Sequence, residues 1–75
     1  MVFKNGTLAA NIRVMRARAD MTQGVLADKT GIHIGTIVQY ESGNMVPGAD
    51  KVCAIASALG CTPNELFGWD DRGTR

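Results

Sequence analysis

Apolar residues recur along the chain at helical spacing, and short turn signals separate the runs. In the first run, residues 7–19, four apolar residues follow one another at intervals of four, three and four positions: Leu8, Ile12, Met15 and Ala19. These intervals place the four side chains on one face of a helix. Thr7 is the expected N-cap, because its hydroxyl can accept a hydrogen bond from an N–H of the first turn. We therefore predict a first helix over residues 7–19.

The same pattern predicts four further helices. Three of them cover residues 23–30, 34–42 and 49–59, and a short fifth helix begins at Thr62 and Pro63. Thr22 is the N-cap expected for the second helix, and Gly31 follows its end, where a left-handed residue can terminate it. Gly43 and Gly60 follow the third and fourth helices in the same way. Strands are not predicted, because no run alternates between apolar and polar residues.

Length and composition limit the chain to one small core. It has 75 residues, of which 45% are hydrophobic and 20% are charged. A chain of this size has no room for a separate cofactor domain, so we expect one domain over residues 1–75, with a core at 7–67 and a polar tail at 68–75. No apolar run is long enough to span a bilayer, and the first residues do not resemble a secretory signal. These features predict a cytoplasmic protein with no membrane partner.

The reactive side chains form no catalytic or metal-binding pattern. Cys53 and Cys61 are too few for a disulfide framework and have no neighbouring ligands for a metal site, so we interpret them as small, reduced core residues. His33 has no Ser, Cys or Asp motif beside it, and the sequence contains no glycine-rich phosphate loop. We expect neither an enzyme nor a cofactor, and no small-molecule effector is evident.

Residues 22–43 meet the requirements of a helix-turn-helix. Two short predicted helices are joined at Gly31, and the small residue Ala27 stands where the helices must approach closely. The side chains expected to face the core are Leu26, Ile32, Ile37 and Tyr40. A random helical sequence seldom satisfies these demands together over about twenty residues.

Three segments carry a family resemblance. TQGVLA at 22–27, TIVQYESG at 36–43 followed by Pro47, and ASALGC at 56–61 resemble the phage-repressor-type helix-turn-helix family, also called Cro-like or XRE. The resemblance covers about residues 7–67. It implies an all-α, compact five-helix lambda-repressor-like DNA-binding domain.

The resemblance also implies a partner and a site. Family members are mostly dimeric transcription regulators whose third helix enters the major groove, so we expect double-stranded DNA and a second copy of the chain as partners. The matching base-facing positions are Ile34, Gly35, Thr36 and Gln39. The matching phosphate contacts are Gln23, Ser42 and the amides near Gly43 and Asn44. Arg16 and Glu41 match an ion pair that ties the first helix to the end of the third.

Side-chain chemistry agrees with these roles. Gln39 can donate and accept at once, so it can pair with the N6 and N7 edge of adenine, a contact that discriminates by about 1–3 kcal/mol. Ile34 offers only apolar contact, for example with a thymine methyl, and Thr36 can make either kind of contact. Gln23 at a helix N-terminus can add side-chain donors to N–H groups that already favour an anion. Gln39 can alternatively be an ordinary solvated helix residue, and Gln23 can alternatively be a surface residue with no contact.

The distribution of charge supports a nucleic-acid partner more than the total does. The formal net charge is only +1. Residues 1–29 carry five cationic residues against two acidic ones, which gives +3, whereas residues 30–49 and 50–75 each carry −1. The phosphate candidates in the basic part are Arg13, Arg18 and Lys29. His33, directly before the third helix, is a candidate for a phosphate contact or for a helix cap.

A second hypothesis comes from the apolar character of the predicted reading face. Ile34, Gly35 and Val38 form a less polar surface than most DNA readers present, and an exposed apolar patch often marks a protein partner. The domain could accordingly be an antitoxin-like or anti-repressor interaction module. Trp69 in the tail is the expected packing anchor or subunit contact.

Overall fold

The computed structural model describes residues 5–68, and side-chain burial from residue 7 onward. It contains five helices: α1 (Asn5–Arg18), α2 (Gln23–Thr30), α3 (Ile34–Ser42), α4 (Ala49–Leu59) and α5 (Pro63–Phe67). No strand occurs between residues 5 and 68, so the predicted all-α class and the five helices are confirmed. Lys4, which we counted in the positive charge of residues 1–29, lies outside the described residues. So do residues 69–75, which include Trp69, the expected packing anchor or subunit contact.

The ends of α2 and α5 follow the signals in the sequence. Thr22 accepts a hydrogen bond from the Val25 N–H at 3.1 Å and caps α2. Gly31 adopts a left-handed φ of 74° and donates its N–H to the Ala27 carbonyl, which ends α2 and turns the chain into α3. At α5, Thr62 and Glu65 form a reciprocal capping box.

Both predicted ends of α1 are wrong. The helix begins at Asn5, so Thr7 lies inside it and is not the N-cap. It ends at Arg18, and Ala19, which we predicted on the apolar face of this helix, is exposed after its end.

A residue other than glycine terminates α1. Asp20 has a φ of 55° and donates its N–H to the Ala17 carbonyl at 3.0 Å, and Met21 donates to the Arg16 carbonyl at 3.1 Å. This pair of bonds is a Schellman ending, in which the left-handed position is normally a glycine. Asp tolerates that conformation better than most residues do, because its short polar side chain can bond locally.

One apolar cluster joins all five helices. Its fully buried large side chains are Leu8, Ile12, Leu26, Ile37, Ile55 and Leu66. The four residues predicted to face the core of the helix-turn-helix are all buried: Leu26, Ile32, Ile37 and Tyr40. Ala27 is buried at the approach of α2 to the core, as predicted from its size. No helix between residues 5 and 68 has the length and apolar content of a membrane span.

The two cysteines do not both belong to this core. Cys61 is half-buried against it, whereas Cys53 is exposed on α4, so the prediction of a core position is wrong for Cys53. Burial raises the pKa of the Cys61 thiol, and the nearby Glu65 carboxylate raises it further. Residues 5–68 contain no group of side chains able to hold a metal ion.

Packing leaves one side of α3 open. α1 packs against α3 and α5, while α2 packs against α3 and α4. The inner side of α3 carries Ile37, Tyr40 and Glu41, all buried, whereas Ile34 and Val38 on its other side are 45% and 41% exposed. The fold thus holds α3 from within and presents its outer face.

Two isoleucines of α3 test this division. Replacing Ile37, which is 0% exposed, by Ala should lower the free energy of unfolding by about 2–5 kcal/mol, because a cavity remains in the core. Ile34→Ala makes the same chemical change at a surface position and should stay within about 1 kcal/mol of the parent protein. Urea unfolding followed by circular dichroism measures both values. Equal losses in the two variants would contradict the assigned orientation of α3.

Candidate nucleic-acid interface

The residues predicted to face bases share the outer side of α3. Ile34 and Gly35 are exposed, and Thr36 and Gln39 are half-buried. Within residues 5–68 the side-chain amide of Gln39 makes no hydrogen bond, so both its donor and its acceptor remain available. The first two turns of α3 therefore present apolar groups beside one unpaired amide.

A polar cluster behind α3 fixes its position. Glu41 is only 4% exposed, and its Oε2 lies 2.7 Å from Arg16 Nε. Arg16 Nη2 donates to Glu41 Oε1 at 3.1 Å, which makes the pair bidentate, and Arg16 Nη1 donates to the Met21 carbonyl at 2.9 Å. The ion pair implied by the family resemblance is thus present. The hydrogen bond that Arg16 donates to Glu41 raises the pKa of Arg16, burial lowers this pKa, and the charge of Glu41 raises it again, so Arg16 keeps its charge.

Gln23 belongs to this cluster. Its Nε2 donates to Glu41 Oε1 at 3.0 Å, so the side chain that we expected to meet a phosphate links the start of α2 to the end of α3. The backbone N–H groups of Gln23 and Gly24 have no acceptor within residues 5–68. The polar groups that remain available at the start of α2 are therefore these two amides and the remaining polar atoms of the Gln23 side chain.

Arg13 also turns toward α3. Its Nη1 donates to the backbone carbonyl of Glu41, one of the last carbonyls of the helix. This places a positive charge at the negative end of the α3 dipole. Arg13 is exposed and keeps other N–H groups that can reach outward. No local sequence pattern indicates its contact with Glu41.

His33 caps α3. Its Nδ1 accepts a hydrogen bond from the Gly35 N–H at 3.0 Å. Because the accepting nitrogen carries no proton, the capping form of the neutral ring holds its proton on Nε2. A Cβ at position 35 would lie 3.1 Å from Nδ1, so the glycine leaves room for the cap. Of the two roles considered for His33, the structure shows the cap.

The backbone groups at the end of α3 are hydrogen-bonded within the turn. The amides expected to meet a phosphate have internal acceptors: Gly43 donates to the Tyr40 carbonyl at 3.3 Å, and Asn44 donates to the Gln39 carbonyl at 3.1 Å. Ser42 Oγ donates to the Gln39 carbonyl at 3.0 Å and accepts from the Asn44 N–H at 3.4 Å. These bonds satisfy the last carbonyls of α3. A phosphate at this end would meet the exposed side chains of Ser42 and Asn44 rather than unpaired amides.

On α1, α2 and α3, as far as residues 5–68 describe them, few cations remain for an anionic partner. Arg16 is paired with Glu41, and Arg13 is partly engaged. Arg18 and Lys29 are exposed on α1 and α2. Residues 30–49, which include α3 and the following loop, contain no Lys or Arg. Fewer positive charges of residues 1–29 are therefore available at the surface than the formal charge of +3 implies.

An open groove separates α2 from the start of α3. Thr22, Asp28 and His33 line it together with Val25 and Ile34. Val25 is 42% exposed and extends the apolar surface of α3 onto α2. We did not predict from the sequence that Val25 would be exposed at this surface. Its exposure could have been inferred from its place on α2, because Leu26 and Ala27 form the buried side of this helix.

The helix-turn-helix packs its inner side into the core and leaves the outer side of its second helix exposed. This arrangement is typical of small DNA-binding regulatory domains. Residues 12–66 match the model of the helix-turn-helix family HTH_3, and the chain belongs to this family. Its members and structural neighbours are transcriptional regulators, not enzymes.

Individual relatives agree with this assignment. The chain is 36% identical over 64 residues to an uncharacterized HTH-type transcriptional regulator from Archaeoglobus fulgidus, covering 85% of this chain and 91% of the relative. It superimposes with a TM-score of 0.77 and 27% identity on the P22 c2 repressor in complex with a synthetic operator, covering 84% and 96% of the two chains. The restriction-modification controller protein C.AhdI from Aeromonas hydrophila shares the fold, with a TM-score of 0.81, 24% identity and coverage of 84% and 96%.

The Glu41 cluster provides a test of how α3 is held. Glu41→Ala removes the buried acceptor of Arg16 and Gln23 and should lower the free energy of unfolding by about 3–5 kcal/mol, because the Arg16 charge loses its partner. Asp28→Ala, a change of an exposed acid on α2, should stay within about 0.5 kcal/mol of the parent. Chemical denaturation of both variants provides the comparison, and a Glu41 variant as stable as the Asp28 variant would show that the cluster does not support the fold.

Proposed function

We propose that this chain is a sequence-specific DNA-binding transcriptional repressor that binds an inverted-repeat operator as a homodimer. The observation that carries the proposal is the open face of α3, which a buried cluster anchors in a domain of a transcription-regulator family. The P22 c2 repressor, with the same fold and 27% identity, was solved in complex with an operator. That likeness supports an operator as the partner of this chain as well.

In this proposal α3 lies in the major groove. Ile34, Gly35, Thr36 and Gln39 contact base edges, since they occupy the open side of the helix. Gln39 is the only one of the four that can form a bidentate pair, with adenine as its preferred base. Its amide has no competing partner within residues 5–68, so it meets DNA without first breaking a hydrogen bond.

Phosphate groups flank this contact. At the start of α2, the free amides of Gln23 and Gly24 and the positive end of the helix dipole favour an anion. At the two ends of α3, the contacts are His33 through Nε2 and the side chains of Ser42 and Asn44. Arg13, Arg18 and Lys29 complete the set of charged contacts. Gly43 contributes by shaping the turn rather than through an unpaired amide.

So few cations imply a weak dependence on salt. Each neutralised phosphate contributes about 0.9 to the slope of log affinity against log salt, so three cations give about 2.7 per protomer. The free energy of binding then depends more on base contacts and on the second subunit than on charge. A dimer also enlarges the buried surface of a domain whose single core is small.

Selection from random duplexes tests the proposal as a whole. The full chain should enrich an inverted repeat whose half-sites lie about 34 Å apart, the distance of one helical turn. Sedimentation of the complex should give two chains per duplex, and titrations at several salt concentrations should give the shallow slope. Failure to enrich any site at low or physiological salt would refute DNA recognition, whereas a single half-site bound by one chain would refute the dimer only.

The two glutamines separate base reading from positioning. Gln39→Ala should relax the preference at one base pair per half-site by about 1–3 kcal/mol and leave the other positions unchanged. Gln23→Ala should weaken binding to all sequences alike, because Gln23 acts on the backbone contact and on the Glu41 cluster. Repeating the selection with each variant measures both effects. A uniform loss for Gln39→Ala would remove its role as a reader.

A further inference from the structure

We propose that Arg13 contributes to sequence specificity without touching a base, by fixing the backbone at the C-terminal end of α3. It is a positioning residue, because its effect on base reading passes through α3. This inference rests on the proposed function, in which Gln39 near the same end of the helix contacts a base. It gives Arg13 a role beyond that of one more charge near a phosphate.

The carbonyl groups near the end of α3 accept hydrogen bonds from two different sources. The carbonyls of Gln39 and Tyr40 accept from backbone N–H groups of residues 43–45, which belong to the turn after the helix. These donors are attached to α3 itself and move together with it. The Glu41 carbonyl accepts instead from Arg13 Nη1, a donor on another helix. Arg13 therefore connects α1 directly to the backbone of α3.

Two arginines of α1 bind the same residue of α3. Arg13 and Arg16 lie three positions apart, so they share one side of α1. Arg13 binds Glu41 at its backbone carbonyl, and Arg16 binds it at its carboxylate. The positive charge of Arg13 also lies at the negative end of the α3 dipole, which favours this position of the guanidinium. Packing of α1 against α3 thus ends in two attachments to one residue.

The bond to the backbone constrains α3 more directly than the ion pair does. Several rotatable bonds separate the Glu41 carboxylate from its α-carbon, and rotation about them can absorb a small displacement of the helix while the ion pair with Arg16 persists. The carbonyl is part of the helix, so the bond from Arg13 includes the rotatable bonds of one side chain instead of two. Arg13 therefore fixes the last turn of α3 more closely.

Gln39 is the base-facing residue most sensitive to this placement. It lies two positions before Glu41, in the same turn of α3. A bidentate pair with adenine needs two hydrogen bonds of good geometry at once, and hydrogen bonds weaken steeply as their angles depart from linearity. Ile34 lies at the other end of α3, where the His33 cap holds the first turn. Loss of the Arg13 bond should accordingly affect reading by Gln39 first.

A matched pair of arginine variants tests the inference. Arg13→Met and Arg18→Met each remove one exposed cation of α1, and of these two arginines Arg13 is the one bonded to α3 within residues 5–68. In Arg18→Met, affinities for the selected duplex and for random DNA should fall by the same factor, because phosphate contacts carry no sequence information. In Arg13→Met, the ratio of the two affinities should also fall, by about three- to tenfold, a part of what one bidentate contact discriminates. Circular dichroism gives the folded fraction to which each affinity is referred.

A double-mutant cycle with Gln39→Ala distinguishes positioning from an independent contact. Arg13→Met should lower discrimination mainly at the base pair that Gln39→Ala relaxes, and should lower it little further when Gln39 is already alanine. Independent contacts would instead multiply their effects. Arg18→Met is the control, because its loss of affinity for the selected duplex should simply multiply that of Gln39→Ala.

Failure of the inference and failure of the proposed function give different results. If Arg13→Met loses the same factor on selected and random duplexes, as Arg18→Met does, Arg13 is a phosphate contact only and the inference is overturned. Equal relaxation at every base pair, or effects that multiply with those of Gln39→Ala, would overturn it as well. All of these results leave the proposed function intact, whereas absence of any selected site for the parent chain would overturn both.

Discussion

The buried carboxylate of Glu41 is the constraint on which the presentation of α3 depends. Removing an ionised carboxylate from water costs several kcal/mol unless partners replace the lost hydration. Here Arg16 of α1 and Gln23 of α2 supply those partners, and no buried side-chain polar atom in the described part of the chain lacks one. Because the donors come from two helices and converge on a third, a shift of α1 or α2 relative to α3 would remove a partner of the charge.

This arrangement changes what the domain can offer to DNA. The arginines of α1 that raise the charge of the N-terminal half also hold α3, since Arg16 binds the Glu41 carboxylate and Arg13 binds its carbonyl. A charge neutralised inside the fold adds little to the field that attracts a polyanion. With a low net charge and Arg16 neutralised inside the fold, the DNA recognition proposed above depends more on base contacts than on charge.

Much of the fold could be predicted from the sequence because local and tertiary demands agree. As predicted, α2, α3 and α4 each end at a glycine, and α2 begins after a threonine cap. The spacing of apolar residues in α3 also separates its buried face from its exposed face correctly. The end of α1 could not be predicted, because Asp20 takes a conformation that usually signals itself by a glycine. The start at Asn5 likewise precedes the residue that looked like the cap.

The site was less predictable than the fold for a different reason. A residue type indicates which hydrogen bonds a side chain can make, but the partner depends on what tertiary packing brings near. Gln23 lies 18 residues from Glu41 and Arg13 lies 28 residues from it, so neither contact has a local signature. The amides after α3 show the opposite case, since their acceptors lie within five residues and belong to the glycine-ended turn itself.

Gly35 lies in the first turn of α3, where it weakens the helix and also leaves room for the His33 cap. Glycine inside a helix costs about 0.5–1 kcal/mol relative to alanine, so Gly35 weakens the helix that the domain must present. The Gly35 N–H donates to Nδ1 of His33, and a Cβ at position 35 would crowd this nitrogen. The glycine therefore leaves room for a helix cap, and the cap offsets the cost. A helix cap stabilises by about as much as the glycine costs. Because the cap bonds to the backbone and not to a side chain on the outer face, α3 is secured at its first turn while Ile34 and Val38 stay exposed.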